Sequence, residues 1–215
     1  MSIARIFLFL HEFAHKLRAM TTLHDRVRVH EVTLLSDNWY TLKTTAFDWR
    51  RNDGRWQRMH RETYDRGNGA TLLPYNLAQR TVLLTRQFRY PAFVNGHDDL
   101  LIEAAAGLLD DAAPEERIRA EVEEELGYRL GAVHKILEAF MSPGSVTERL
   151  HFFIAEYDPS MRVGDGGGLA DEGEDIEVLE LGIDGALAMV ADGRFVDAKT
   201  VLLLYHAHLH VFAPR

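Results

Sequence analysis

A mixed β-sheet covered by helices, an α/β fold, is the architecture this sequence predicts, and three observations predict it. Apolar and β-branched stretches of strand length recur along the chain, one strongly acidic helical segment interrupts them, and two further helical segments close the chain. Strands with helices interspersed bury both faces of a sheet. The 215 residues are 47% hydrophobic with a net charge of −9, which suits one sizeable core plus a modest appendage. The acidic balance argues against a nucleic-acid partner. No apolar run approaches the ~20 residues of a bilayer span, so no membrane partner is expected. The chain has no cysteine, which rules out disulfides and fits a cytoplasmic location.

Residues 1–27 read as an N-terminal extension. The apolar run at 6–10 lacks the length and small-residue cleavage site of a secretory signal, and Met20 follows it, so an amphipathic helix or an overlong gene start is expected. His11-Glu12-Phe13-Ala14-His15 satisfies the zinc pattern H-E-x-x-H. A metalloprotease also needs a third ligand and a cleft, which so short a preceding stretch cannot build, so a chance match is expected. Residues 28–65 alternate in polarity at 29–35, 40–49 and 55–64, with Asn52-Asp53-Gly54 as a hairpin turn, and predict a small antiparallel module. In the remaining domain, 66–215, strands are expected at 69–76, 81–88, 100–106, 133–140, 150–157 and 176–181. Helices are expected at 184–192 and 197–210.

Between the strands at 100–106 and 133–140 lies the segment AGLLDDAAPEERIRAEVEEELGY, beginning at Ala106. Pro114 suits the first helical position, Glu115 and Glu116 favour the positive N-terminus, and Gly127 suits the residue just past the C-terminus. Ile118, Val122 and Leu126 form an apolar stripe at four-residue spacing. Beside it stand Glu121, Glu124 and Glu125. Glu121 and Glu125 lie roughly 40° apart around the axis, so like charges crowd one side. A hard divalent cation with oxygen ligands, Mg²⁺ or Mn²⁺, is the natural compensation, and a merely solvated charged face is the alternative.

Two other clusters offer less. Gly166-Gly167-Gly168, flanked by Asp165, Asp171 and Glu172, reads as a flexible acidic connector or a loop that approaches a ligand closely, and no strand-loop-helix phosphate cradle surrounds it. Of His206, His208 and His210 only the first and last share a helical face, and a surface helix is expected there rather than a metal site.

The acidic segment resembles the Nudix box, G-x5-E-x7-R-E-U-x-E-E-x-G-U, through Gly107, Glu121, Val122, Glu124, Glu125, Gly127 and Tyr128. Ala113 stands in place of the first Glu, Ala120 in place of the Arg, and the first half is one residue short. The family uses that Arg to orient the carboxylates, so Arg117 or Arg119 is expected to take its place. The similarity runs from about Val32 to about Leu204. LSDNWYTL at 35–42, YDRGNGAT at 64–71, RQFR at 86–89, MSPGSVTE at 141–148, HFFIAEY at 151–157, EDIEVLEL at 174–181 and KTVLLL at 199–204 are similar to the GDP-mannose pyrophosphatase group of the ADP-ribose pyrophosphatase-like branch.

The resemblance implies an α/β/α sandwich with a mixed sheet and Mg²⁺-dependent hydrolysis of a nucleotide sugar, GDP-mannose first and ADP-ribose or another nucleotide sugar as the alternative. A nucleotide-sensing module without turnover is a second alternative, left open by Ala113 and Ala120. It further implies metal binding by Glu121, Glu125, Glu174 and the Ala106 carbonyl, with Glu124 as an added ligand or charge partner. Substrate contacts would come from Arg61, Glu62, Arg89, Glu148 and Lys199, with Trp39 stacking on the base. A homodimer in which the N-terminal module serves the partner's site is expected as well.

Overall fold

In a computed structural model the described residues are 22–213. The run at 6–10 and the His11–His15 pattern lie outside them. The chain divides into two compact units, with the boundary between Asp65 and Arg66.

The first unit holds a short 3₁₀ turn, Leu23–Arg26, and an antiparallel meander of β1 (Val27–Asp37), β2 (Thr41–Arg50) and β3 (Trp56–Asp65). The β2–β3 hairpin turns at Gly54, whose φ of +84° is open to glycine at little cost. The guanidinium groups of Arg26 and Arg28 lie 4.2 and 3.8 Å from the ring centroids of Trp49 and Trp56, bracing the sheet by cation–π attraction. Among the described residues of this unit none is buried, and Val29, Val32, Leu34 and Leu35 of β1 are exposed.

The second unit is built on a seven-stranded sheet. Its main path is β10 (Glu177–Gly182), β5 (Thr81–Gln87), β4 (Gly69–Asn76), β9 (Arg149–Glu156) and β8 (Val133–Phe140). β4 and β9 run parallel and the other pairs on the path antiparallel, so the sheet is mixed. Neighbouring residues on the central strands go to opposite faces. Leu72, Leu83 and Phe153 join a core with Ile118, Val122 and Leu126, whereas Leu73, Leu84 and Phe152 join another with Ile183, Leu203 and Leu204. Two apolar faces need two covers. One is α2 (Pro114–Leu126); the other is α3 (Ile183–Ala191) with α4 (Ala198–His210). The expected α/β/α sandwich is thus present.

The strand expected at 100–106 is divided. β6 (Leu101–Glu103) pairs with β5 and β7 (Ala105–Leu108) pairs with β4, with the break at Ala104. The Ala104 N–H leaves the ladder and donates to Thr200 Oγ1 at 2.7 Å. A five-residue helix, α1 (Tyr90–Val94), too short for its period to register in the sequence, follows β5. Among the described residues no helix is long and apolar enough to cross a membrane.

Phe152 is fully buried between β4 and β8 in the core under α3 and α4. Phe152→Ala is therefore expected to lower the unfolding free energy by about 3–5 kcal/mol. Urea titration followed by circular dichroism measures it, and a loss below about 1 kcal/mol contradicts this packing.

Candidate active site

Helix α2 sets the site. Ile118, Val122 and Leu126 are at most 1% exposed against the sheet, and that contact carries Glu121 and Glu125 into cover with them, at 5% and 1% exposure. Glu125 Oε2 accepts from the Ala106 N–H at 3.2 Å, joining the helix to β7. Glu121 lies against Gly107: a Cβ built on that glycine would fall 1.7 Å from Glu121 Oε1. Gly107 is therefore a matter of space, because the carboxylate fills the volume a side chain would take.

The glycine-rich segment is not a free connector. Gly127 ends α2 in the left-handed region at φ +77°. Gly167 N–H donates to Glu125 O at 3.0 Å and Gly168 N–H to Glu124 O at 3.1 Å, so the loop satisfies carbonyls that the helix end leaves open. Gly166, at φ +71°, approaches so closely that its Cβ would lie 2.4 Å from Glu125 O. The docked loop delivers Glu174, whose Oε2 accepts from Leu169 N–H at 2.9 Å.

The electrostatics follow from that burial. Burial raises the Glu121 carboxyl to about 7, with Glu124 and Glu174 adding to the rise and Arg117 opposing it. Glu125 is raised well above the ordinary range, by burial first and then by Glu121 and Glu174. Among the described residues no three acidic or histidine side chains are gathered as a ready-made metal set; Glu121, Glu125 and Glu174 are held by Arg117, the Ala106 N–H and the Leu169 N–H respectively. The donor chemistry nevertheless fits a hard divalent cation: desolvated carboxylates raise one another's pKa, and a cation would remove that repulsion.

An arginine from another position on α2 reaches Glu121. Arg117 Nη2 meets Glu121 Oε1 at 2.5 Å, one turn back on the same face, and its buried Nε has no hydrogen-bond partner. Arg119 is occupied elsewhere, donating to the Leu130 and Gly131 carbonyls and to Glu115. Ala120 is adjacent to Glu121 in sequence and so about 100° away around the axis. Ala113 is the exposed N-cap of α2 and makes no side-chain cap.

Arg89, the N-cap of α1, is drawn to the same region, and Glu125 and Glu174 both act on its charge. Its Nε donates to Glu103 Oε2 at 2.7 Å. Lys199 is tied to carboxylates: its ammonium donates to Glu103 Oε1, lies 3.0 Å from Asp197 and is mostly covered. Glu103 was not singled out by its sequence position, and only the bend at Ala104 reveals it. Glu148 Oε1 and Gly107 O both lie 3.2 Å from where a Cβ on Gly69 would sit, which sets Glu148 beside the glycine turn. It also pairs with Arg66 at 3.7 Å.

The remaining expected contacts belong to the first unit. Trp39, 82% exposed at the β1–β2 turn, begins an edge-on chain of rings through Tyr40 and Tyr64. Glu62 shares a sheet face with Tyr64 and lies opposite Thr44, whereas Arg61, opposite Thr45, points to the other face. The two residues therefore do not act from one face of the sheet.

Fold and site together define the class: a glycine turn and an acidic helix at the edge of an α/β/α sandwich, the architecture of the Nudix hydrolases. A family model described as the GDP-mannose pyrophosphatase NudK N-terminal domain matches residues 26–64. A GDP-mannose pyrophosphatase of Pectobacterium atrosepticum is 57% identical over 182 residues, covering 84% of this chain and 93% of that protein. Counterparts from Salmonella arizonae (54%; 82% of this chain and 92% of theirs) and Klebsiella pneumoniae (52%; 84% and 90%) are similar over nearly the same length. The chain belongs to the GDP-mannose pyrophosphatase family of Nudix hydrolases.

Two outcomes follow from the site. Carboxyl pKa values raised by folding mean that the folded state holds protons more tightly than the unfolded chain. In chelator, stability is therefore greatest near pH 5 and falls as pH rises toward and through 7, and Mg²⁺ recovers most at pH 8; a melting temperature flat from pH 5 to 8 contradicts this. Arg117→Met should weaken metal-dependent activity at least tenfold, whereas Arg119→Met should chiefly lower the melting temperature. Equal activity losses in the two variants refute the substitution of Arg117 for the box arginine.

Proposed function

We propose that this chain hydrolyses the pyrophosphate bond of GDP-mannose, giving GMP and mannose 1-phosphate, with Mg²⁺ or Mn²⁺ as cofactor. The observation that carries the reading is that relatives named for this activity are 52–57% identical over at least nine-tenths of their own length. The geometry supports it: buried Glu121 and Glu125 face a glycine turn, with Glu174 close enough to act on both charges and Arg89 on that of Glu125.

Glu121, Glu125 and Glu174, with the Ala106 carbonyl, are assigned as the metal-holding set, and Glu124 as their charge partner. A divalent cation bound there would neutralise diphosphate charge and lower the pKa of the attacking water. The protein's own groups perform the rest. Arg117 holds the Glu121 carboxylate in one orientation. The planar donor fork of Arg89 suits phosphate oxygens, and a carboxylate not committed to the cation accepts the proton released by the attacking water. Glu148, beside the glycine turn, is assigned to the sugar or its phosphate. Lys199 acts through Glu103.

The first unit supports a homodimer. A three-stranded meander with no buried residue and an exposed row of β1 side chains needs another surface to cover it, and a second copy supplies one. In that arrangement Trp39, Arg61 and Glu62 are assigned to substrate contacts in the partner's site, with Trp39 on the base and the planar donor fork of Arg61 suited to phosphate oxygens. The cytoplasm is the compartment in this reading.

Incubating the protein and Mg²⁺ with a panel of nucleoside-diphosphate sugars tests the reading. GDP-mannose should be cleaved with the highest kcat/KM, to two phosphate-containing products; preference for ADP-ribose overturns the substrate, and a flat result favours the non-hydrolytic sensor. Glu125→Gln should cost turnover by orders of magnitude.

A further inference from the structure

We propose that Glu103 is a positioning residue that fixes the Arg89 guanidinium in the reaction, an assignment that rests on the nucleotide-sugar hydrolase reading above. Glu103 lies at the end of β6, 4% exposed, where β5 and the start of α4 converge on the break at Ala104. Its two oxygens are divided. Oε2 takes the Nε–H of Arg89 at 2.7 Å, and Oε1 takes the Lys199 ammonium. Lys199 in turn lies 3.0 Å from Asp197, the N-cap of α4, whose Oδ2 also accepts from Thr200 N at 3.0 Å and Thr200 Oγ1 at 2.6 Å. Thr200 Oγ1 accepts from Ala104 N–H, closing the circuit beside Glu103 itself.

The arrangement has a direction. Binding through Nε leaves the two terminal nitrogens of Arg89 uncommitted to Glu103, and these are the donors suited to a phosphate oxygen. Glu103 keeps its carboxylate below the ordinary range although burial pushes the other way, because Lys199 and Arg89 outweigh that cost. Lys199 thus steadies the carboxylate that steadies the arginine. Arg89 would otherwise be a long, rotamer-rich side chain with Glu125 and Glu174 attracting it toward the metal carboxylates. Glu103 therefore keeps the guanidinium from collapsing onto them.

A double-mutant cycle tests this. Glu103→Gln preserves shape and removes the charge. It should lower kcat/KM for GDP-mannose about 10- to 100-fold, Arg89→Ala should lower it at least as far, and the double variant should be no worse than Arg89→Ala. Losses that multiply in the double variant overturn the proposal. Added guanidinium should restore part of the turnover of Arg89→Ala while Glu103 is present and none in the double variant; equal rescue in both overturns it too. If Glu103→Gln does not fold, Lys199→Met enters the same cycle, with the same non-additivity expected and independence equally fatal. A wild-type chain that cleaves no nucleotide sugar refutes the function separately. The cycle is then read on the Kd for inorganic pyrophosphate with Mg²⁺, where additive losses again refute the positioning role.

Discussion

The structure of the second unit depends on forcing carboxylates into cover. Glu121 and Glu125 would by preference be solvated, and on an isolated helix their crowding is unfavourable. The stripe of Ile118, Val122 and Leu126 overrides that preference, because burying three large apolar side chains outweighs the strain of carrying two acids with them. The acids accept their position by raising their pKa, and a site that asks for positive charge results. Packing makes the site; the chemistry uses it.

Glycine is the second half of that constraint, and at two places it is required for different reasons. At Gly107 the requirement is empty volume for the Glu121 carboxylate. At Gly166 it is a positive φ combined with close approach to the backbone of α2. The second contact links two functions, since the amides that close the helix end belong to the loop that carries Glu174. Capping a helix and presenting a carboxylate are here one structural act.

How much of this the sequence disclosed follows from the range of each interaction. Helix α2 was legible because its period, its proline and its terminal glycine are all local signals, and the mixed sheet because its strands are apolar and separated by clear turns. The division of 100–106 was not legible: the bond that draws Ala104 out of the ladder comes from Thr200, far along the chain. For the same reason Glu103 read as an ordinary strand residue and its bond to Lys199 was hidden, although the fold joins the two. That Arg61 and Glu62 go to opposite faces of their sheet follows from strand geometry and was readable locally. The docking of the glycine loop was likewise hidden, since its acceptors lie on a helix some forty residues earlier.

The departures from the Nudix box make the same point within the motif. A pattern written as consecutive letters treats the residue before Glu121 as the orienting arginine, but a helix places neighbours by angle as well as by sequence distance. Residue 120 is about 100° away from Glu121, whereas residue 117 lies one turn back on nearly the same face. An arginine side chain is long enough to reach forward from there, and Arg117 does so at 2.5 Å. The alanine at 120 therefore removes a letter and leaves the charge balance in place. What the structure provides at this site is a cation against the buried Glu121, supplied by Arg117 from one turn back on α2.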